Sequence, residues 1–266
     1  MFLMGRIITV VSGKGGVGKT SITANIGIAL AQHGKRVLLV DADVAMANLS
    51  LLLGMQSSPI TLHDVLLGES DIRDAVYDGP GGVYFVPSGL SLESYRRVDS
   101  ERIEQVVREI ADEYDFILLD APAGIEKTVM AAISAADQVL LITAPDSPSV
   151  ADVLKAKIVS QRLNVQPIGV IINFVRKEKG EITGEDMMKM LELPVYGQVP
   201  YDEEVRKSFM QENVSPVMIR KPQCPAAIEM QRVAAKIGGY SADIKAMPFK
   251  EKKGILSRIL GFFRRK

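Results

Sequence analysis

The sequence predicts a doubly wound α/β fold on a mainly parallel sheet. Short apolar runs such as Ile7-Ile8-Thr9-Val10-Val11 and Val37-Leu38-Leu39-Val40 are continuous rather than alternating, as in strands buried on both faces. Helical patterns alternate with these runs along the chain. The first run also passes through a glycine loop straight into a helical pattern, the order of a strand, a turn and a crossover helix.

Taken in order, the first strand spans residues 7–12, and the helix after the loop spans 21–32. A second strand covers 36–41. Residues 51–78 are less regular, with one short helix at 62–67. Strands at 83–86, 116–120, 138–142, 168–173 and 195–199 then alternate with helices at 100–111, 127–135, 150–163, 184–191, 202–211 and 223–237. After Gly238-Gly239 the pattern weakens. Residues 1–240 therefore read as one domain, 241–253 as a tether and 254–266 as a C-terminal amphipathic helix. At 100° per residue, Ile255, Leu256, Ile259, Leu260, Phe262 and Phe263 share an arc of roughly 160°, with basic side chains on the rest.

Composition narrows the class. The 266 residues suffice for a large buried core, and 47% apolar with 24% charged residues is ordinary for a globular protein. The single cysteine, Cys224, excludes an internal disulfide and suits a reducing cytosol. Met1 to Arg6 lead directly into a core strand, so no secretory signal is expected, and no apolar run is long enough to span a bilayer. Six of the 32 basic residues lie in 252–266, which holds no acid; the rest of the chain carries 26 basic against 32 acidic residues. An acidic body argues against broad nucleic-acid binding.

The loop itself is Gly13-Lys14-Gly15-Gly16-Val17-Gly18-Lys19-Thr20, followed by Ser21. Glycines let successive backbone N–H groups converge on one centre, and the helix behind adds its partial positive charge. Lys19 reaches the terminal phosphates of a nucleotide, and the Thr20 hydroxyl coordinates the accompanying magnesium. Asp41, Asp43 and Asp120 end buried strands, which places them at the carboxyl edge near the loop. Such acids also serve as loop caps. Asn173 ends another apolar run; its amide suits a base edge, but equally a helix cap or turn. His33 and His63 stand apart without a ligand cluster. Met187, Met188 and Met190 are read as core filling, and Cys224 as structural or a free thiol.

Lys14, a second lysine inside the loop, makes the string more specific. Lys14-Gly15-Gly16-Val17-Gly18-Lys19-Thr20 resembles the deviant Walker A motif of the MinD/ParA ATPase family, and the resemblance extends over residues 6–240. It implies ATP and Mg2+ as cofactors, with hydrolysis coupled to an ATP-bridged homodimer. Lys14 then acts across the interface on the partner's nucleotide, with Lys19 and Asp43 as the other catalytic residues. Asp43 positions water, with Asn48 in the same switch segment. Thr20, Asp43 and Asp120 serve the metal, and Pro122 to Gly124 form a second switch. Asn173, Pro200, Tyr201 and Asp202 match adenine-recognition positions, and Asp146 one near the ribose. The tail resembles a membrane-targeting helix for anionic lipid, which implies a cytoplasmic protein peripheral at the membrane. The implied role is spatial regulation, such as division-site choice, through effector proteins and without specific nucleic acid. A ParA-like partitioning protein and a flagellar-number regulator are the neighbouring readings; an iron–sulfur carrier lacks its paired cysteines.

Overall fold

The computed structural model describes residues 5–43, 47–89, 99–210 and 214–241. The tether and the amphipathic tail foreseen at 241–253 and 254–266 lie outside them, apart from Ser241. Strands β1 (Arg6–Ser12), β2 (Val37–Asp41), β3 (Tyr77–Asp78), β4 (Tyr84–Val86), β5 (Phe116–Asp120), β6 (Gln138–Thr143), β7 (Gln166–Val175) and β8 (Val195–Pro200) form one sheet. Their order is β3-β4-β2-β5-β1-β6-β7-β8. Every pairing is parallel except the short hairpin of β3 with β4.

The continuous apolar runs are explained by what lies on each side. In β1, Ile7 and Val11 join one buried cluster while Ile8 and Val10 join the other, and β2, β5 and β6 divide in the same way. Full burial of each such side chain contributes about 1.5–3 kcal/mol, so a polar residue is costly on either face.

The helices are α1 (Lys19–Gln32), α2 (Asn48–Leu53), α3 (Leu62–Leu67), α4 (Ile103–Arg108), α5 (Lys127–Ser134), α6 (Ser147–Arg162), α7 (Gly184–Leu191), α8 (Glu203–Lys207), α9 (Val217–Arg220) and α10 (Pro225–Gly238). Buried residues of α1, α2, α9 and α10 share one cluster; those of α3, α4, α5, α6 and α7 share the other. The sheet is therefore covered on both faces. The chain leaves β1 toward β2 on one side, and β6, β7 and β8 build on the other. That reversal opens a crevice at the carboxyl ends of the strands, the usual ligand position in such sheets.

Several boundaries differ from the sequence pattern. Helix α1 begins at Lys19, inside the loop motif, because Gly18 is its left-handed N-cap. Helix α6 starts at Ser147, where the Asp146 side chain accepts from the Ser149 N–H and Pro148 sits in the first turn. The helix expected over 100–111 is reduced to Ile103–Arg108, flanked by two 3₁₀ turns. That expected over 202–211 ends at Lys207. Of the three methionines read as core, Met187 is buried, whereas Met188 and Met190 are about half exposed on α7.

Candidate functional site

The loop between β1 and α1 is shaped by left-handed glycines, Gly16 at φ 81° and Gly18 at φ 86°. A side chain at Gly18 is excluded twice. Its backbone disfavours L-residues, and an added Cβ would overlap the Asn173 amide. Asn173 in turn donates from Nδ2 to the Val17 carbonyl at 2.8 Å, so β7 pins the loop from the side. At Gly13 an added Cβ would run into the Asp152 backbone of α6. Gly13 is thus packed against α6, and the Val17 side chain is buried.

Beneath the loop lies a buried ion pair. Lys19 Nζ donates to Asp120 Oδ1 at 2.8 Å, and Thr23 Oγ1 donates to the same oxygen at 3.1 Å. Asp120 Oδ2 is buried without a hydrogen-bond partner. Thr23, one turn after Lys19 on α1, escaped sequence reasoning because it resembles any helical threonine.

Asp41 corrects an expectation. It does not open into the cavity at the carboxyl edge but is fully buried, in register with Asp120 on the neighbouring strand. Its carboxylate accepts from the Asp43 N–H and the Ser50 N–H, each at 3.3 Å. Burial pushes its pKa well above the usual carboxylate range, and the charge of Asp120 adds to this. Asp41 thereby ties the segment that carries Asp43, and the first turn of α2, to the sheet.

A cavity of about 570 Å³ opens at this edge. Gly15, Gly16, Gly18, Lys19, Thr20 and Ser21 form its floor, Asp43 and Asn48 one side, and Asn173, Phe174, Pro200, Tyr201 and Asp202 the other. A glycine-rich loop, a lysine and the helix N-terminus behind them suit a polyanion. The Thr20 hydroxyl and Asp43 carboxylate are hard oxygen donors suited to a small dication. Asp120 sits below the floor rather than in the wall. The carboxylate of Asp202 is committed locally, accepting from the Glu204 N–H at 2.9 Å and the Ala226 N–H at 3.2 Å, so it caps α8.

Besides Asp120, two charged predictions, Lys14 and Asp146, do not line the cavity. Lys14 Nζ lies 3.5 Å from Asp146 Oδ1, with both side chains more than a third exposed. Asp146, foreseen near a ribose, caps α6 through the Ser149 N–H at 2.9 Å and hydroxyl at 2.6 Å. Burial works against the Asp146 charge, but the Ser149 hydrogen bonds and Lys14 outweigh it and hold the carboxyl below its ordinary value. Phe174 and Arg176 are the other residues that sequence reasoning missed. The Arg176 guanidinium lies 3.7 Å from the centroid of the Tyr201 ring.

Residues 8–215 match the family described as the CobQ/CobB/MinD/ParA nucleotide binding domain. The chain is 42% identical to an uncharacterized ATP-binding protein of Methanocaldococcus jannaschii, covering 99% of each chain. It is 31% identical to the septum site-determining protein MinD of Bacillus subtilis, covering 98% of each. The structure superimposes on MinD of Pyrococcus horikoshii, solved in complex with Mg-ADP. The TM-score is 0.84 at 34% identity, over 88% of this chain and 96% of that one.

Proposed function

The chain belongs to the CobQ/CobB/MinD/ParA family of nucleotide-binding domains, and from that premise we propose that it is a MinD-like ATPase switch. It binds ATP with Mg2+, dimerises, attaches to a membrane surface and regulates the placement of cell division or of another assembly. The observation that carries this reading is the Lys14–Thr20 loop itself. Its left-handed Gly18 heads α1 at the floor of the cavity, with Lys19 held ready on Asp120.

The residues fit the ligand. Amides from Gly15 to Thr20 hold phosphate oxygens, and Lys19 exchanges Asp120 for the terminal phosphates. Thr20 and Asp43, which line the same cavity, give oxygen donors to Mg2+; Asp120 Oδ2, buried and unpartnered, is a further acceptor under the loop. Bound magnesium neutralises charge that develops on the transferring phosphate. Asp43, with Asn48 beside it in the cavity wall, orients the attacking water. Asn173, Pro200 and Tyr201 receive the adenine, with Asp202 shaping that wall as a helix cap. Lys14, which pairs with Asp146 and does not line its own cavity, engages a partner's phosphates once two chains meet. Protein effectors then set the lifetime of the dimer.

The tail completes the switch. One amphipathic helix of six apolar side chains binds a bilayer marginally, because ordering its backbone costs about 1–2 kcal/mol per residue. Two tails on one ATP dimer bind far more tightly through effective concentration. The protein is thus cytoplasmic and peripheral at the membrane according to its nucleotide. Sedimentation with anionic vesicles tests this: ATP supports binding, whereas ADP, Phe262→Glu or truncation before Gly254 abolishes it. Equal sedimentation with ATP and ADP overturns the switch. A salt-dependent DNA shift with ATP favours the ParA-like reading instead.

A further inference from the structure

Strand β7 carries an irregularity at the site. It pairs Ile172 with Gln198 and Val175 with Pro200, so two residues of β7, Asn173 and Phe174, lie where β8 offers one. This is a β-bulge, a device that re-aims side chains beside functional sites. In a regular strand successive side chains point to opposite faces. Here Asn173 and Phe174 both line the cavity. The backbone of Phe174 shows how: its φ is 62°, in the left-handed region that a bulky residue avoids. Strain of this kind persists where the surrounding structure imposes it, and it clusters at ligand sites.

The surroundings of the Phe174 ring are those of a stacking surface. Its centroid lies 6.4 Å from that of Tyr201 with the planes tilted by 54°, at the end of the cavity formed by Pro200 and Tyr201. The Tyr201 ring is already engaged by the Arg176 guanidinium. Phe174 Cζ comes within 3.3 Å of where a Gly18 Cβ would stand, so the ring sits where the phosphate floor meets that end.

We propose that Phe174 is a base-contacting residue, its ring stacking on the nucleobase and its strained backbone retained for that purpose. The inference rests on the nucleotide reading above and adds to it a residue that the phosphate-loop pattern does not contain.

The test compares a ligand with a base and one without, ADP and inorganic tripolyphosphate, by calorimetric titration. Phe174→Gly suits the left-handed backbone and deletes the ring, so the ligand-free variant melts no lower than the parent. It should bind ADP about tenfold or more weakly, as expected for loss of one base–aromatic stack, and tripolyphosphate with unchanged affinity. Phe174→Tyr should restore ADP binding. Equal weakening for both ligands overturns the proposal, because the ring would then act only through the phosphate loop. Unchanged ADP affinity overturns it as well. If the parent protein binds neither ligand, it is the nucleotide reading that has failed.

Discussion

Lys19 and Asp120, 101 residues apart in sequence, form an ion pair of 2.8 Å in which both side chains are more than nine-tenths buried. A buried pair of this kind gives little net stability while intact, but removing one partner strands the other charge. Asp120→Ala should therefore destabilise the ligand-free protein by about 3–5 kcal/mol. Adding Lys19→Met should recover much of that loss, and urea denaturation of the four proteins in the cycle measures the coupling. Additive effects would contradict the pairing.

Binding and turnover should separate between two neighbouring cavity residues. Lys19→Ala, once melting confirms its fold, should lose productive ATP binding. Asp43→Ala should keep ATP and trap it, with phosphate release reduced by orders of magnitude, because it removes the group assigned to the water. Titration with ATP and a phosphate-release assay read the two steps. Equal loss of nucleotide in both variants would show that Asp43 is not the water-positioning group.

Lys14 is held by Asp146 within its own chain, 3.5 Å away and partly in solvent. An exposed pair of this type is worth less than about 1 kcal/mol, so it yields readily to a partner's phosphates. Lys14→Ala should leave ATP affinity intact yet lose ATP-dependent dimerisation, with hydrolysis falling about a thousandfold or more, as for a missing arginine finger. Light scattering with ATP decides the matter. A variant that dimerises and hydrolyses normally would refute action across the interface.

His63 supplies a pH dependence. Its Nδ1 accepts the Gly89 N–H at 2.7 Å, which a protonated ring cannot do, and Nε2 is buried without a partner. Burial lowers its pKa below 6.5, with Asp64 opposing. The unfolded chain then binds more protons than the folded one in the window below 6.5. The stabilisation is present above 6.5 and is lost as pH falls through the lowered folded value. The melting temperature should drop between pH 7 and pH 5, and less so in His63→Asn, which keeps an acceptor but does not titrate. An identical pH profile in the variant would exclude His63 as the source.

The sequence by itself determined the features that depend on near neighbours along the chain. The strand, loop and helix of residues 6–32 are legible because glycine spacing and apolar runs act within a few residues of one another. The helix Leu62–Leu67 is legible for the same reason, bounded by Thr61 at its start and the left-handed Gly68 at its end. So is the doubly wound class, because strands buried on both faces must be apolar throughout. Tertiary structure decided which members of that local chemistry meet. Asp41 and Asp43 look alike in sequence, yet strand register buries the first against Asp120 and leaves the second in the cavity wall. Asp146 is drawn to Ser149 and Lys14 rather than to the cavity. Phe174 falls just past the strand expected over 168–173, and only the pairing of β7 with β8 shows the bulge that brings it to the cavity. Register and burial are set by contacts between residues far apart in sequence, and no local pattern encodes them.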